Sequence, residues 1–367
     1  MSRLTKYHFR LLLLIFICSS VMNIGFTQQI DPETRMSNHF DRNKLAIYKA
    51  FTNSNSAQNL NNISSPKILY NYYISLLFEN RVSTSSDSKG RLEDISNRLM
   101  EIAPNDFESN YIQYLHNKGS ENGLSFLKKA YFLEPSEIEI WDEMLGYYQI
   151  KGDESKARSM AKKIKQSDKY HPDVYRYQRN VIASMESKSV LFVNGEFDTY
   201  PLLVTLYTED IKNDIIVLSQ EFLNYDSYKK LMTEKMGTSV KFGETITTKI
   251  MDNLENEHLG YKMYLALTMN KNILGSLKRN LYLSGLTFQY STKSIDNITL
   301  CENNFDNKMN LTYLFNKSLK PLEVRDLNRN YIPILNFLEN HQTNLSEERK
   351  NRIQALKSII ITSLPKR

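Results

Sequence analysis

The chain has 367 residues, 41% of them hydrophobic and 24% charged, with a formal charge of +6 at neutral pH. This is too much apolar material for a disordered chain and too great a length for one ordinary core, so two globular units are expected. Glycine (12) and proline (9) are sparse beside 23 tyrosines, which argues against a β-sandwich or a collagen-like repeat and in favour of helix.

The first residues read as an export signal. Arg3, Lys6 and Arg10 precede the apolar run Leu11 to Cys18, and polar and small residues follow to Gln28. The run is under half the length of about 20 residues that a membrane span needs. Ile17 stands before Cys18, where lipoprotein processing requires a small side chain, so lipidation is not expected. Removing the three basic residues of this segment from +6 leaves a mature charge of +3. Basic and acidic residues also alternate along Lys128, Lys129, Glu134, Glu137 and Glu139, and no nucleic-acid partner is expected. Cys301 would be the one cysteine left after cleavage, so no intramolecular disulfide can form. The expected location is periplasmic or secreted, with a mature chain that does not span the membrane.

After an Asn- and Ser-rich stretch with a short helix near Asn43 to Thr52, apolar residues recur every three or four positions from Ile68 to Asn80 and from Arg91 to Ala103. These are two amphipathic helices separated by the loop VSTSSDSKG. If Pro104 opens a unit of about 34 residues, Phe107, Tyr111, Tyr114, Gly123, Leu127, Ala130 and Pro135 take large and small positions in the order of a helical repeat. A second unit from Ile138 places Trp141, Met144, Tyr148, Ala157 and Ala161 in the same way, with a turn at Lys151, Gly152 and Asp153. The spacing resembles the tetratricopeptide repeat. Most of the aromatic residues then belong to the repeat core, and Tyr114, Tyr147 and Tyr148 are the candidates for a partner-binding concave face.

At Lys188 the period shortens. SVLFV (189–193) and DIIVLS (214–219) read as strands, with helices over LLVTLYTEDI and from Asn224 to Met236. YKMYLALT (261–268) and LYLSGLTFQYS (281–291) read as two further strands. Strand and helix in alternation predict a parallel, three-layer α/β domain. The tail from Tyr331 to Leu364 is expected to form a packed antiparallel helix pair, with Ser346 capping the second helix. The fold class is therefore α/β plus all-α. It comprises a signal peptide at 1–28, a polar linker with a short helix at 29–66, tetratricopeptide-like helices at 67–185, an α/β domain at 186–300 and a C-terminal segment with a helical pair at 301–367.

VLFVNGEFDTYPL and NDIIVLSQEFLNYDSYKKLM, with the later KMYLALTMN and NLYLSGLTFQYS, resemble the soluble segment of bacterial membrane glycosyltransferases of the protein O-mannosyltransferase type. The resemblance covers roughly residues 188 to 292 and implies the fold of a soluble accessory domain. Glu196 and Phe197 stand where that family usually has aspartate and asparagine, and this sequence carries no polytopic membrane portion in which sugar transfer from a lipid would occur.

The loop NGEFDTYP lies at the carboxyl end of a strand, where open α/β sheets place ligands. Asn194 and Gly195 suit a sharp turn, Asp198 or Thr199 can cap the next helix, and Pro201 fits its first turn. Asn194, Glu196, Asp198 and Glu221 are the candidate ligand set for a cation or sugar hydroxyls, against the alternative of caps and solvated side chains. His8, His39, His116, His171, His258 and His341 lack metal-ligand spacing, and there is no phosphate loop or nucleophile elbow. Cys301 has no neighbour that would lower its pKa and reads as an inert thiol. No catalytic residue, metal or cofactor is assigned. The expected function is a non-enzymatic extracytoplasmic scaffold for a protein partner in the cell envelope. The alternative is a soluble accessory component of envelope glycan or glycoprotein assembly that binds or modifies sugar, with glycan contact.

Overall fold

The computed structural model describes residues 63–363 apart from 83–85, 210, 212–213, 317–319 and 342–345. The expected signal peptide and the helix near 43–52 lie outside the described residues. Helices dominate, with one small mixed sheet.

Helix α1 (Pro66–Val82) packs on α2 (Ser86–Ile102), and both pack on α3 (Phe107–His116). The second helix starts at Ser86, inside the stretch expected to be loop. A single glycine, Gly90, costs a helix only about 1 kcal/mol, which the burial of Leu92, Ile95 and Leu99 outweighs. On α3, Phe107, Tyr111 and Tyr114 share one face, and their rings follow one another at centroid distances of 5.5 and 6.1 Å.

Next come α4 (Glu121–Leu133), α5 (Trp141–Ile150) and α6 (Glu154–Gln166). Ser120 caps α4 by accepting from the Gly123 N–H at 3.0 Å, and Asp153 caps α6 by accepting from the Lys156 N–H at 3.1 Å. Ala130, Ala157 and Ala161 are fully buried, so helix backbones approach each other over small side chains. Trp141 opens α5, with its indole N–H donating to the Pro135 carbonyl at 3.1 Å and the Lys163 ammonium 4.1 Å from its ring.

Helix α7 (Pro172–Ala183) leads into β1 (Ser189–Val193), all five residues of which are buried. Then come α8 (Glu196–Thr208), β2 (Ile215–Ser219), α9 (Asp226–Met236), α10 (Thr248–Asn256), β3 (Lys262–Ala266), α11 (Lys271–Leu277), β4 (Leu281–Leu283) and β5 (Thr287–Tyr290). The five-stranded order is β2-β1-β3-β5-β4. The expectation of a parallel sheet holds for β1 with β2 and for β1 with β3, whereas β3 with β5 and β4 with β5 are antiparallel. The cause lies in the segment 281–291, which is a hairpin and not one strand. Gly285, at φ 94°, turns the chain between Ser284 and Leu286. The turn is pinned to the end of α7, where Ser284 Oγ donates to the Ser184 carbonyl at 2.6 Å and the Leu286 N–H donates to Ser184 Oγ at 2.9 Å. At the opposite edge, the Tyr228 hydroxyl donates to the Val217 carbonyl at 3.1 Å and accepts from the Ser219 N–H at 3.3 Å, so a side chain occupies positions a further strand would take.

The tail contains α12 (Asn297–Asn303), α13 (Leu322–Asn328), α14 (Ile332–His341) and α15 (Glu347–Thr362). The last two pack on each other, and Ser346 caps α15 through the Arg349 N–H. Cys301 on α12 is buried, and burial pushes its thiol up to about 12. The tail returns to α7: Asn180 Nδ2 donates to the Tyr331 hydroxyl at 2.6 Å, and Lys320 pairs with Asp173. No helix among the described residues is long and apolar enough to cross a membrane.

Two outcomes follow from these contacts. Trp141 is 8% exposed, so Trp141→Ala should cost about 3–5 kcal/mol in denaturant unfolding. The native emission of this sole tryptophan should be blue-shifted, and water-like emission would refute the packing. The second outcome concerns acid. Burial raises the Asp173 carboxyl, but the hydrogen bonds and charges of Lys320 and Arg176 outweigh it and set the group below its ordinary range. A depressed carboxylate contributes stability that is full above the unfolded value near pH 4 and drains as pH falls through the folded one. Melting temperatures recorded across pH 2–5 should therefore fall less steeply in Asp173→Asn than in the wild type.

Candidate functional site

The strand-end loop is built differently from expectation. Gly195, at φ 87° and ψ 167°, is the residue before α8, and no side chain caps that helix. Neither Asp198 nor Thr199 is a cap: both lie inside the first turns. Buried Asp198 accepts from the Thr268 hydroxyl just after β3, and Thr199 Oγ1 sits 3.3 Å from Ser219 Oγ at the end of β2. The two side chains tie the carboxyl ends of the three parallel strands together, with the Asp198 charge favoured by the helix amino end. Burial first, and then the Asp198 charge, holds the Tyr177 phenol well above its ordinary value.

Pro201 lies within α8 and not in its first turn. It lacks the N–H that would have bonded to the Phe197 carbonyl. That carbonyl instead accepts from Gln178 Nε2 of α7 at 3.1 Å.

Of the expected ligand set, Asn194 is partly buried and the side chain of Glu196 lies outside the described residues. Glu221 lies in the 3-10 turn Gln220–Asn224 after β2 and faces the helices. It lines a crevice with Tyr114 and Tyr147, so the structure gathers one expected ligand residue with two expected partner residues. The centre of this crevice is Glu143 of α5. Its Oε1 accepts from Lys118 at 2.8 Å, and its Oε2 accepts from the Tyr200 hydroxyl of α8 at 3.0 Å and from the Tyr114 hydroxyl. Burial, with the Glu143 charge second, pushes the Tyr114 phenol well above its ordinary value. One turn on, a Cβ at Gly146 would lie 3.0 Å from the Phe222 ring and 3.2 Å from the Tyr200 hydroxyl. A larger residue would have to push the Phe222 ring or the Tyr200 hydroxyl back by a few tenths of an ångström. The remaining space, about 10 Å³, holds one water at most.

Tyr114 is thus buried and engaged within the chain. Tyr147 and Tyr148 are partly buried and meet edge to face at 5.5 Å. The side of α5 that carries Glu143 and Gly146 is covered by the chain's own Tyr200 and Phe222. Sequence reasoning missed Glu143, although an Asp-Glu pair inside the apolar helix WDEMLGYY is a signal: both carboxylates are buried, and Asp142 binds Lys169 at 2.9 Å and the Tyr170 hydroxyl at 2.6 Å.

The larger opening, about 500 Å³, lies at the other end of the sheet, before β1 and at the start of β3. Glu186, Lys262, Gln289, Ser294, Asp296 and Asn303 line it. Glu186 and Lys262 form an ion pair. Both Asp296 oxygens accept from Thr299, through its N–H at 3.1 Å and its hydroxyl at 2.8 Å. No residue of this cleft stood out in the sequence, because polar residues from four separate segments meet there only after the hairpin has formed. Among the described residues, no group of three or more His, Cys, Asp or Glu side chains is placed to hold a metal ion.

The crevice geometry sets an outcome: Glu143→Gln should lower unfolding stability by about 1–3 kcal/mol, since a neutral amide cannot serve Lys118 and both tyrosines. Denaturant midpoints for this variant and Tyr200→Phe measure it, and wild-type midpoints in both would show that the carboxylate holds nothing.

Residues 174–344 match the family model described as TMEM260-associated domain 2. The matched stretch runs from α7 through the sheet and past α14, leaving α1 to α6 outside. No curated protein and no solved structure matches the chain.

Proposed function

We propose that the protein is a non-enzymatic scaffold of the cell envelope, periplasmic or secreted, in which tetratricopeptide-like helices α1 to α6 present a docking surface to a protein partner and the α/β portion braces them. The observation that carries this reading is an apolar corner at the end of α4. Phe132 is 84% exposed, Ile138 45% and Leu133 40%, within seven positions of one another. Large apolar side chains left in solvent this close together along the chain are a mark of a contact surface. Lys128, Lys129 and Glu134 supply an exposed polar rim.

The two buried carboxylates at these sites are already engaged inside the chain. Glu143 and Asp198 are committed to tyrosine, lysine and threonine partners within the chain, which is the work of structural groups. The second reading, an accessory component of glycan or glycoprotein assembly, draws on the resemblance of residues 188 to 292 and on the polar cleft beside β3.

The test is a pull-down from envelope extract with the wild-type chain and with Phe132→Glu/Leu133→Glu. The double variant should keep its melting temperature and lose the captured partner. Equal capture by both chains would remove the corner from the proposal.

A further inference from the structure

A mostly buried polar side chain reaches the cleft beside β3. Gln289 is only 7% exposed, yet it lines the cleft. Its Oε1 accepts from the Tyr264 hydroxyl at 3.4 Å, and that hydroxyl in turn accepts from the Glu186 N–H at 3.3 Å. Burial raises the Tyr264 phenol above its ordinary value, so the proton given to Gln289 stays in place. This chain fixes the orientation of the amide and leaves the two Nε2 hydrogens for whatever enters the cleft. The amide nitrogen is not sealed from solvent, so it can donate to water or to a molecule in the cleft.

The remaining walls define the chemistry of the occupant. Asn303, which also lines the cleft, accepts from Asn307 Nδ2 through its Oδ1 at 3.0 Å, and its own Nδ2 is a second donor. The Ser294 hydroxyl both donates and accepts. Glu186 uses one carboxylate oxygen for Lys262 and offers the other. Glu186 and Asp296 against Lys262 leave one net negative charge, which opposes phosphates and carboxylates. Gln289 belongs to β5, an inner strand of the sheet, so a peptide cannot enter here by adding a strand. Partly buried Ile295 and Leu300 give an apolar ledge beside the polar groups.

We propose that this cleft binds a neutral saccharide unit, with Gln289 Nε2 and Asn303 Nδ2 donating to ring hydroxyls and Glu186 accepting from one. Adjacent hydroxyls that each give and take a hydrogen bond match a wall of alternating donors and acceptors, and the C–H face of the ring fits the ledge. The volume of about 500 Å³ accommodates one or two sugar rings. The inference deepens the glycan reading above and is independent of the apolar corner.

The test is ligand-observed NMR and calorimetry with methyl glycosides of glucose, galactose, mannose and N-acetylglucosamine, with methyl glucuronide as the charged counterpart. At least one neutral glycoside should bind saturably and more tightly than the glucuronide. Gln289→Met keeps the volume but removes the donor, and Asn303→Ala alters an exposed side chain; each should weaken binding about tenfold. Asn303→Ala should leave the melting temperature unchanged, which separates lost recognition from lost folding. Phe132→Glu should bind the glycoside like wild type, so failure of the scaffold reading and failure of this one are distinguishable. The proposal is overturned by the absence of saturable binding from every glycoside at about 10 mM, or by wild-type affinity in both cleft variants.

Discussion

The Glu143 carboxylate holds the two parts of the molecule in one arrangement. A buried negative charge is tolerable only when hydrogen bonds and an opposite charge surround it. Here the partners come from different places in the chain: Tyr114 from α3, Lys118 from the turn after it, and Tyr200 from α8 beside the sheet. Moving α8 away from α5 would strip the carboxylate of one donor while leaving it buried against the others. The Phe222 ring lies against Gly146 one turn along, so a polar constraint and a steric one act at the same place. The Gly119 N–H donating to the Tyr225 hydroxyl at 2.9 Å adds a third link between the helices and the segment after β2.

Seen from this joint, the candidate residues divide by what they already hold. Asp198, Thr199 and Ser219 close the carboxyl ends of the parallel strands, where an open α/β sheet would leave a crevice for a ligand. Tyr114 serves the joint. Polar side chains that face open space line the cleft at the amino ends of β1 and β3 instead, and three exposed large apolar side chains lie at or just past the end of α4.

Local signals carried the reading where local physics decides the outcome. SVLFV is a strand because five successive apolar and small residues can all be buried in the middle of a sheet, and its limits were legible without any partner. Ser346 was legible as a cap for the same reason: its hydroxyl acts three residues away. The hairpin at Gly285 was not, because the turn depends on Ser184, a hundred positions earlier. The role of Asp198 was misjudged similarly. A carboxylate near a helix start suggests a cap, but its hydrogen-bond donor, Thr268, lies 70 positions downstream, beyond the reach of any periodicity. The cleft around Gln289 is wholly a product of long-range assembly, since its walls come from before β1, from β3, from β5 and from α12.

Pro201 has a consequence for how the chain can be divided. The carbonyl it orphans at Phe197 is buried inside α8, and the amide that satisfies it comes from Gln178 on the preceding helix. A fragment begun at the first strand would therefore carry an internal flaw that no residue of its own repairs, whereas one begun at the start of α7 would not. The helix that looks like the last member of the all-helical half is thereby an obligatory part of the sheet half. A cut on the amino side of α7, around Ser167 to His171, keeps the Gln178–Phe197 bond within one piece, whereas a cut at the change from helix to strand breaks it.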